Sequence, residues 1–564
     1  MKRTGGKVGG VLVLALVVFA LADRLSEVVR SAFAGSTPYD GILQEWWQRL
    51  SSKPFALSME KADLIAGGVV VAGIALIVLF QLSKHRNTRP GEEHGSARWA
   101  KPKEFDPFTD KDPSQRIQLT ESEALSIDNR KTQRNNNVLV LGASGAGKSR
   151  HYVIPNLSRL DTSFAITDPK GELYRETRSN LESRGYTVKR FNLVDLADSD
   201  GFNPMEYFNE DSPETSIAQM VEAIMSNTTS PQSQSSGNGQ FFERAEKALL
   251  TALVAYVYGM GTDSEDGKPS LVAVSDLQKQ MQAFEGKQAE QTSEVDAMFE
   301  ATRSVVGEWE AGGYGRDPIK ETLAFACRQY RTFEQGAGET KKSIIISLGV
   351  RLAPLDMTSV RRILDHDTLS LDRLGFEKMA LFLELPDSNS AFTFFAALFW
   401  STLFEKNIYE ADHTEKGRLP RQLHCFLDEF ANIGKIPNFE RMISTIRSRG
   451  ISASIIVQMY SQGKALYRDH WPTIVGNCDS HLFLGSTEEE TLRWMSARLG
   501  EQTVRSTNTS QTKGAQGSWS EQGQILKRPL MTKEELERMS DRDAILLVRG
   551  LYPFRSAKAP AFQH

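Results

Sequence analysis

The chain has 564 residues, 40% of them hydrophobic, with 67 basic and 71 acidic side chains and a net charge of −4. This length has room for roughly three or four domain-sized units with a packed core. The charge argues against a protein that coats nucleic acid, because such binding neutralises many phosphates. Cys327, Cys425 and Cys478 lie far apart without metal-ligand spacing, which excludes a disulfide-stapled fold and indicates reduced, buried thiols.

Two apolar runs open the chain. Residues 8–22 (VGGVLVLALVVFALA) follow a basic start, and the uncharged run 64–82 (LIAGGVVVAGIALIVLFQL) is followed by basic residues. The second run predicts a membrane helix, and the flanking charges predict that both ends face the cytoplasm. The first run is either a second span or a signal-peptide core. We therefore expect a multi-pass anchor over residues 1–90, with an extracytoplasmic loop over about 23–63.

A short aliphatic strand, Asn137–Leu141, then runs directly into a glycine-rich segment. The segment consists of Gly142, Ala143, Ser144, Gly145, Ala146, Gly147, Lys148 and Ser149. It satisfies GxxxxGK[ST], in which backbone N–H groups cradle the phosphates of a nucleotide. We expect Lys148 to reach the β and γ phosphates of ATP and Ser149 to hold Mg²⁺. The alternative is a glycine-rich turn beside a surface lysine.

A nucleotide site of this kind needs a second strand that ends in a carboxylate. Leu423–Leu427 is a short apolar run, followed by Asp428 and Glu429. We expect Asp428 to complete the Mg²⁺ shell and Glu429 to orient and deprotonate the attacking water. The inner residues His424 and Cys425 are interpreted as packing residues rather than ligands.

Further apolar runs predict more strands of the same sheet. They are Thr162–Thr167, Val188–Leu193, Met379–Leu385, Ile451–Val457 and His481–Leu484. Strands that alternate with helices predict an α/β fold with a mostly parallel sheet wrapped by helices. The polar stretch Arg505–Gly523 is interpreted as a low-complexity loop, and a short helix and strand are expected after Arg528.

Asp428 lies 280 positions after Lys148, a longer separation than a few strand–helix units need, which indicates an insertion. Residues 205–350 show helical patterns and carry twenty-two acidic and twelve basic residues. A net charge of −10 should repel bare DNA and suit a protein partner. In this region Phe242 to Tyr256 has helical spacing, and Gly259 is expected to close that helix. We therefore assign 91–204 and 351–564 to the nucleotide-binding domain and 205–350 to an inserted all-α domain.

Several motifs together resemble one family. They are HGSARWA at 94–100, TDPKGEL at 167–173, FNPM at 202–205, LDEFANIGKIPNF at 427–439, RSRGISASIIVQ at 447–458 and RPLMTKEEL at 528–536. In this order they resemble the coupling proteins of type IV secretion, the TraG/TraD group of conjugation ATPases. The resemblance covers residues from about 94 to 560.

The resemblance implies a RecA-like P-loop NTPase core with an inserted all-α domain, preceded by two transmembrane helices. It also implies a homo-hexameric ATPase at the bacterial inner membrane. Such proteins pass single-stranded DNA with its relaxase, or secreted protein substrates, to the membrane components of a type IV secretion channel. By the family pattern Arg447 matches an arginine that reaches a neighbouring subunit's γ-phosphate, although Arg449 is an alternative. Gln458 matches a catalytic sensor.

Two other classes of function remain open at this point. A membrane-anchored duplex DNA translocase of the FtsK kind shares this core, although such motors usually carry more membrane helices and a winged-helix DNA reader. A docking platform could bind ATP for assembly without hydrolysing it. Glu429 argues against the platform because it stands where a catalytic base is needed.

Overall fold

The computed structural model describes residues 5–36, 38–53, 56–83, 91–229, 237–261, 268–284, 292–313, 315–335, 338–386, 390–511 and 519–561. They form two compact units, residues 1–93 and 94–564.

Three helices form the first unit: α1 (Gly5–Phe33), α2 (Ile42–Ser52) and α3 (Lys61–Ser83). Within the described residues, one unbroken helical segment, Lys61–Phe80, is long and apolar enough to cross a membrane. Helix α1 continues past the apolar run that ends at Ala22. The basic residues expected to orient the anchor at 2–3 and 84–89 lie outside the described residues.

A buried carboxylate joins α1 to α3 in the first unit. Asp63 of α3 is fully buried and accepts hydrogen bonds from Ser26 Oγ (2.8 Å), Ser58 Oγ (2.6 Å) and Arg30 Nη2 (2.7 Å). A buried charge needs such partners, because an unpaired carboxylate away from water is costly. The four residues thus fix the packing of the two helices at this point.

The second unit contains all thirteen strands of the described chain and the remaining helices. The strands are β1 (Arg116–Gln118), β2 (Ala124–Ser126), β3 (Val138–Leu141), β4 (Ser163–Asp168), β5 (Thr187–Asn192), β6 (Met379–Glu384), β7 (Leu423–Leu427), β8 (Ile451–Val457), β9 (Ser480–Phe483), β10 (Glu501–Gln511), β11 (Trp519–Pro529), β12 (Asp543–Val548) and β13 (Phe554–Ala557). The α-helices are α4 (Asn129–Thr132), α5 (Ile154–Arg159), α6 (Glu172–Ser183), α7 (Pro213–Thr228), α8 (Gly237–Met260), α9 (Leu271–Lys279), α10 (Glu294–Gly312), α11 (Pro318–Glu334), α12 (Gly338–Leu352), α13 (Thr358–Leu364), α14 (Thr393–Asp412), α15 (Phe439–Thr445), α16 (Tyr460–Tyr467), α17 (Trp471–Gly476), α18 (Glu489–Leu499) and α19 (Lys533–Glu537).

Nine strands form one sheet in the order β13-β12-β9-β3-β8-β7-β4-β6-β5. The strands from β9 to β5 are mutually parallel, and β12 is antiparallel to β9. Adjacent side chains of one strand enter opposite layers: Ile455 of β8 joins one hydrophobic core and Ile456 the other. A parallel sheet covered on both faces has continuous apolar strands. This confirms the predicted sheet strands, which match the observed bounds to within one residue.

Between β5 and β6 the described residues contain helices α7 to α13 and short 3₁₀ turns joined by loops, and none of these residues belongs to a strand. Its core includes the stacked rings of Phe299 and Tyr330, whose centroids are 3.8 Å apart. Helix α8 runs past Gly259 to Met260, and Gly261 (φ +75°) is the left-handed residue that follows it. Gly259 instead permits a close helix crossing, since a Cβ there would lie 2.6 Å from Leu323 Cγ. The helix predicted over Phe242–Tyr256 is present, and it ends one residue past Gly259, the residue expected to close it.

The expected polar loop over Arg505–Gly523 is largely a hairpin. Strands β10 and β11 pair antiparallel from Glu501↔Pro529 to Gln511↔Trp519, and residues 512–518 lie outside the described residues. The stretch is rich in Ser and Thr and lacks an apolar alternation, so its pattern resembled a loop. Backbone pairing across the hairpin, which no local pattern records, decided its structure.

Candidate nucleotide site

The phosphate loop connects β3 to a helical turn that starts at Ser149 and continues into α5. Gly145 and Gly147 have φ values of +80° and +83°, which L side chains rarely adopt. A Cβ on Gly147 would lie 2.4 Å from His151 Cδ2. Glycine is therefore required at 147 both for its backbone angle and for space. The loop has the conformational freedom that lets backbone N–H groups converge on an anion.

Lys148 lies buried beneath this loop, with 8% of its surface exposed. Its Nζ donates to the carbonyl oxygens of Gly142 (3.0 Å) and Ala143 (3.4 Å). Burial lowers the pKa of Lys148, while the charges of Asp428 and Glu429 raise it. Among the described residues no carboxylate forms an ion pair with the ammonium group, so it is free to pair with a phosphate.

Ser149 and Asp428 meet beside the phosphate loop. Ser149 Oγ donates to Asp428 Oδ2 at 3.1 Å, across the space between β3 and β7. Burial raises the pKa of Asp428 to about 6, and Lys148 opposes that shift. A serine hydroxyl beside a carboxylate is a pair of hard oxygen donors of the kind Mg²⁺ takes. The residues present therefore fit a Mg²⁺–nucleotide complex.

Glu429 follows Asp428 in the left-handed conformation, with φ +46°. Its Oε1 accepts from Gln458 Nε2 at 2.9 Å, and its Oε2 accepts from Asn432 Nδ2 at 2.7 Å. Gln458 directly follows β8, which lies between β3 and β7. Two donors thus hold the carboxylate while each oxygen keeps a second lone pair for a water molecule.

The structure brings most of the predicted site residues together. Lys148, Ser149, Asp428, Glu429 and Gln458 follow the carboxyl ends of three neighbouring strands, β3, β7 and β8. Parallel strands present their carboxyl ends at one edge of the sheet, where α/β proteins bind ligands.

Arg447 lies at the opposite edge of the sheet. It belongs to the 3₁₀ turn Ile446–Arg449, which precedes β8, and its Nη2 donates to Asn129 O at 3.3 Å. Seven residues of β8 separate this turn from Gln458, a rise of roughly 23 Å. Arg447 is therefore out of reach of the pocket in its own chain. Arg449 is paired with Asp412, with two nitrogen–oxygen distances of 2.8 Å.

Other residues beside the pocket were not singled out from the sequence. No role was predicted for Asn432, although it lies three residues after Glu429 in the quoted motif. Asp168 ends β4, and burial raises its pKa to about 6. Lys558 Nζ donates to Ala146 O at 2.9 Å, and Ala559 O lies 2.7 Å from His151 Nδ1. Asp168 lies within the quoted motif TDPKGEL, although no role was predicted for it, whereas no local signal points to Lys558, which is 412 positions from Ala146.

Comparison with known proteins places this chain in a family. A family model described as "Type IV secretory system Conjugative DNA transfer" matches residues 98–564. The conjugal transfer protein TraG of Rhizobium radiobacter is 24% identical over 432 residues, which cover 75% of this chain and 62% of TraG. Protein VirD4 of Agrobacterium fabrum strain C58 is 23% identical over 431 residues, 74% of this chain and 58% of VirD4. The chain thus spans about three fifths of the length of these curated relatives.

Among solved structures, the fold is similar to that of the plasmid coupling protein TrwB in complex with ADP and Mg²⁺. The TM-score is 0.55 at 15% identity, over 83% of this chain and 94% of that one. The predicted fold class, a RecA-like NTPase core with an all-α domain, is confirmed by this likeness. The family match confirms the resemblance that the sequence motifs carried. The chain belongs to the family described as Type IV secretory system Conjugative DNA transfer.

Proposed function

We propose that this protein is the coupling ATPase of a type IV secretion or conjugation system. It recruits single-stranded DNA with its relaxase, secreted protein substrates, or both, and drives their passage toward the secretion channel. The observation that carries the proposal is the Glu429 carboxylate, held by Gln458 and Asn432 beside the Ser149–Asp428 pair in a member of this family. A site built only to bind nucleotide has no need of a positioned base.

In this proposal each residue has one function. The loop from Gly142 to Ser149 binds the phosphates through backbone N–H groups, and Lys148 exchanges its carbonyl partners for phosphate oxygens. Ser149 and Asp428 hold Mg²⁺, which when bound supplies charge that stabilises the transferring phosphoryl group. Glu429 orients the attacking water and accepts its proton, while Gln458 keeps the carboxylate in position.

The arginine that completes the site comes from a second copy of the chain. Arg447 is too far along β8 to reach its own pocket, so it acts on the nucleotide of a neighbour. Arg449 is the weaker alternative because Asp412 already holds its guanidinium group. A trans-acting arginine makes hydrolysis depend on assembly, here a homo-hexamer.

The protein acts at the bacterial inner membrane, anchored through α3 and the apolar part of α1 with the second unit in the cytoplasm. The support is the span Lys61–Phe80 and the basic flanks of the two apolar runs. In this location the ATPase meets the inner-membrane components of the channel.

ATP turnover by the full-length protein in detergent tests the proposal. We expect Mg²⁺-dependent hydrolysis that single-stranded DNA stimulates more than duplex DNA. Lys148→Ala should abolish hydrolysis and substrate transfer in cells while membrane insertion persists, and the exposed Lys103→Ala should behave as wild type. Duplex preference would favour a segregation motor, and assembled wild-type protein without turnover would leave only a docking platform.

A further inference from the structure

The three strands that carry the nucleotide pocket at their carboxyl ends also carry arginines at their amino ends. Arg130 lies in α4, eight positions before β3 begins, and Arg418 and Arg447 lie five and four positions before β7 and β8. These strands are neighbours in the order β3-β8-β7. The pocket residues follow the other ends of the same strands. The sheet thus has a pocket edge and an arginine edge.

Direct contacts bring the three arginine-bearing segments together. Leu419 N donates to Arg449 O at 3.0 Å, which joins the Arg418 segment to the turn that carries Arg447. A Cβ on Gly450 would lie 3.0 Å from Arg418 Nε, so the Arg418 side chain packs against the end of that turn. Arg447 in turn donates to the carbonyl of Asn129, the residue before Arg130.

In the described part of the chain, other cations at the same edge form ion pairs with carboxylates, and these three arginines do not. Lys131, Arg421 and Arg449 pair with Asp110 (3.6 Å), Asp161 (2.6 Å) and Asp412 (2.8 Å). Within the described residues, Arg130, Arg418 and Arg447 form no ion pair. Asp128 raises the pKa of Arg418 but forms no ion pair with it among the described residues, so it only partly offsets the repulsion between Arg418 and Arg130. The three unpaired guanidinium groups therefore indicate an anion-binding function.

Arg130 and Arg418 line an open groove of about 640 Å³. Its other charged lining residues are Asp128, Glu415 and Lys416. The Asp128 carboxylate caps α4 by accepting from the N–H groups of Arg130 and Lys131, and Glu415 is exposed. Arg418 is half-buried, and its burial and the charge of Arg130 lower its pKa. A recessed arginine of this kind suits a compact anion delivered into the groove more than a flexible strand passing over it.

We propose that Arg418 and Arg130 join Arg447 in a half-site that binds the triphosphate held in the pocket edge of a neighbouring copy. This inference rests on the proposed function, since it needs a nucleotide in that pocket. The anion cannot come from the same chain, because the length of β8 separates the two edges. Copies arranged head to tail in a ring set the pocket edge of one against the arginine edge of the next.

Arg418→Ala in the full-length protein tests the half-site. We expect ATP turnover to fall by about tenfold or more, as for other arginines that act in trans, while binding of a fluorescent ATP analogue to the pocket is retained. Arg418→Lys keeps the charge but loses the planar fork, and it should recover part of the turnover. The control is Arg421→Ala, three residues further on, where Lys378 still pairs with Asp161. It should behave as wild type.

Mixed assemblies decide whether Arg418 acts across the interface. The two variants are co-expressed with different tags, and rings that contain both are isolated by tandem purification. Turnover should be restored in these mixed rings, because Lys148→Ala subunits keep their arginines and Arg418→Ala subunits keep their pockets. In a randomly mixed ring about a quarter of the interfaces combine an intact pocket with an intact arginine edge.

Three results would overturn the half-site. The first is wild-type turnover by Arg418→Ala. The second is a lack of recovery when Arg418→Ala is mixed with Lys148→Ala, although Arg447→Ala mixed with Lys148→Ala does recover. The third is a defect of Arg418→Ala that is confined to stimulation by single-stranded DNA. The last result would assign the groove to nucleic acid. Wild-type protein that binds no nucleotide would instead remove the proposed function itself, which separates the two failures.

Discussion

Gly145 and Gly147 adopt nearly the same positive φ in the phosphate loop, but only Gly147 is crowded. An added Cβ meets nothing within 4 Å at Gly145, whereas at Gly147 it would lie 2.4 Å from His151 Cδ2. Backbone strain alone costs roughly 1–2 kcal/mol in this region. We expect Gly147→Ala to weaken nucleotide binding more than Gly145→Ala, measured by titration with a fluorescent ATP analogue.

The double variant Gly147→Ala/His151→Ala tests the cause. Removing the imidazole ring should bring binding back to the level of Gly145→Ala, because only the strain of positive φ then remains. If the double variant binds as poorly as Gly147→Ala alone, crowding by His151 is not the reason.

Gln458 affects the chemistry at the pocket rather than the binding of nucleotide. It donates to Glu429 Oε1 and, among the described residues, forms no hydrogen bond with the phosphate loop. Gln458→Ala frees the carboxylate to rotate, so we expect kcat for ATP hydrolysis to fall by about ten- to a hundredfold. The Kd for nucleotide should stay within about twofold of wild type, since the groups that bind the nucleotide before the reaction are unchanged. A fall in affinity that accounts for the whole loss of turnover would contradict this assignment.

At the scale of elements, α14 lies between β6 and β7 in the chain and packs against α7 of the helical insertion, and a carboxyl group lies where the two helices meet. Glu405 of α14 lines a cavity of about 570 Å³ against the start of α7, together with Tyr207, Lys406 and Arg441. Its partner is Ser401 Oγ, which donates at 3.0 Å. Burial raises the pKa of Glu405 from 4.5 to about 8. We therefore expect this side chain to be mostly protonated at neutral pH in the folded protein.

The raised pKa of Glu405 sets the sign of a pH effect on stability. Between pH 4.5 and 8 the unfolded chain releases this proton while the folded chain keeps it, so stability declines as pH rises through this window. Glu405→Gln removes the effect. We expect the thermal midpoint of Glu405→Gln, relative to wild type, to be higher at pH 8 than at pH 5, by the equivalent of about 1–2 kcal/mol. An unchanged difference between the two pH values would contradict a buried, protonated Glu405.

At the scale of the whole molecule, the three cysteines report on the integrity of the second unit. Cys425 lies within β7, Cys327 in the helical insertion and Cys478 before β9, and all three are free and buried. Burial raises the pKa of each thiol, which suppresses the reactive thiolate. We expect a thiol reagent to modify none of them rapidly in the native protein and all three in guanidinium chloride. Rapid reaction of one cysteine would show that its region opens locally.

Local patterns predicted the sheet well because its strands are buried on both faces. The runs LHCFL and ISASIIV are continuous apolar segments, and they form β7 and β8 over the predicted residues. Parallel strands covered by helices require such runs. The hairpin of β10 and β11 lacks this signature because its Ser- and Thr-rich sequence has no apolar face, so it was misread as a loop.

The nucleotide pocket was predictable in its residues but not in its arrangement. Lys148, Ser149, Asp428 and Glu429 belong to motifs whose chemistry is local to the sequence. The bond from Gln458 to Glu429 depends on β8 lying between β3 and β7, and the contact of Lys558 with the phosphate loop depends on where the last strand packs. Strand order is set by long-range pairing, which spacing along the chain does not encode.

The sequence by itself determined the family, the apolar strands, the phosphate loop and the carboxylates that follow β7, because each depends on residue types at short spacing. The tertiary structure decided which arginines are paired, which edge of the sheet each occupies, and how Glu429 is held. Those properties arise where segments hundreds of positions apart meet, as Arg130 and Arg418 do at one groove. Ion pairing and burial depend on which segments pack against each other, so they cannot be inferred from any single segment of the sequence.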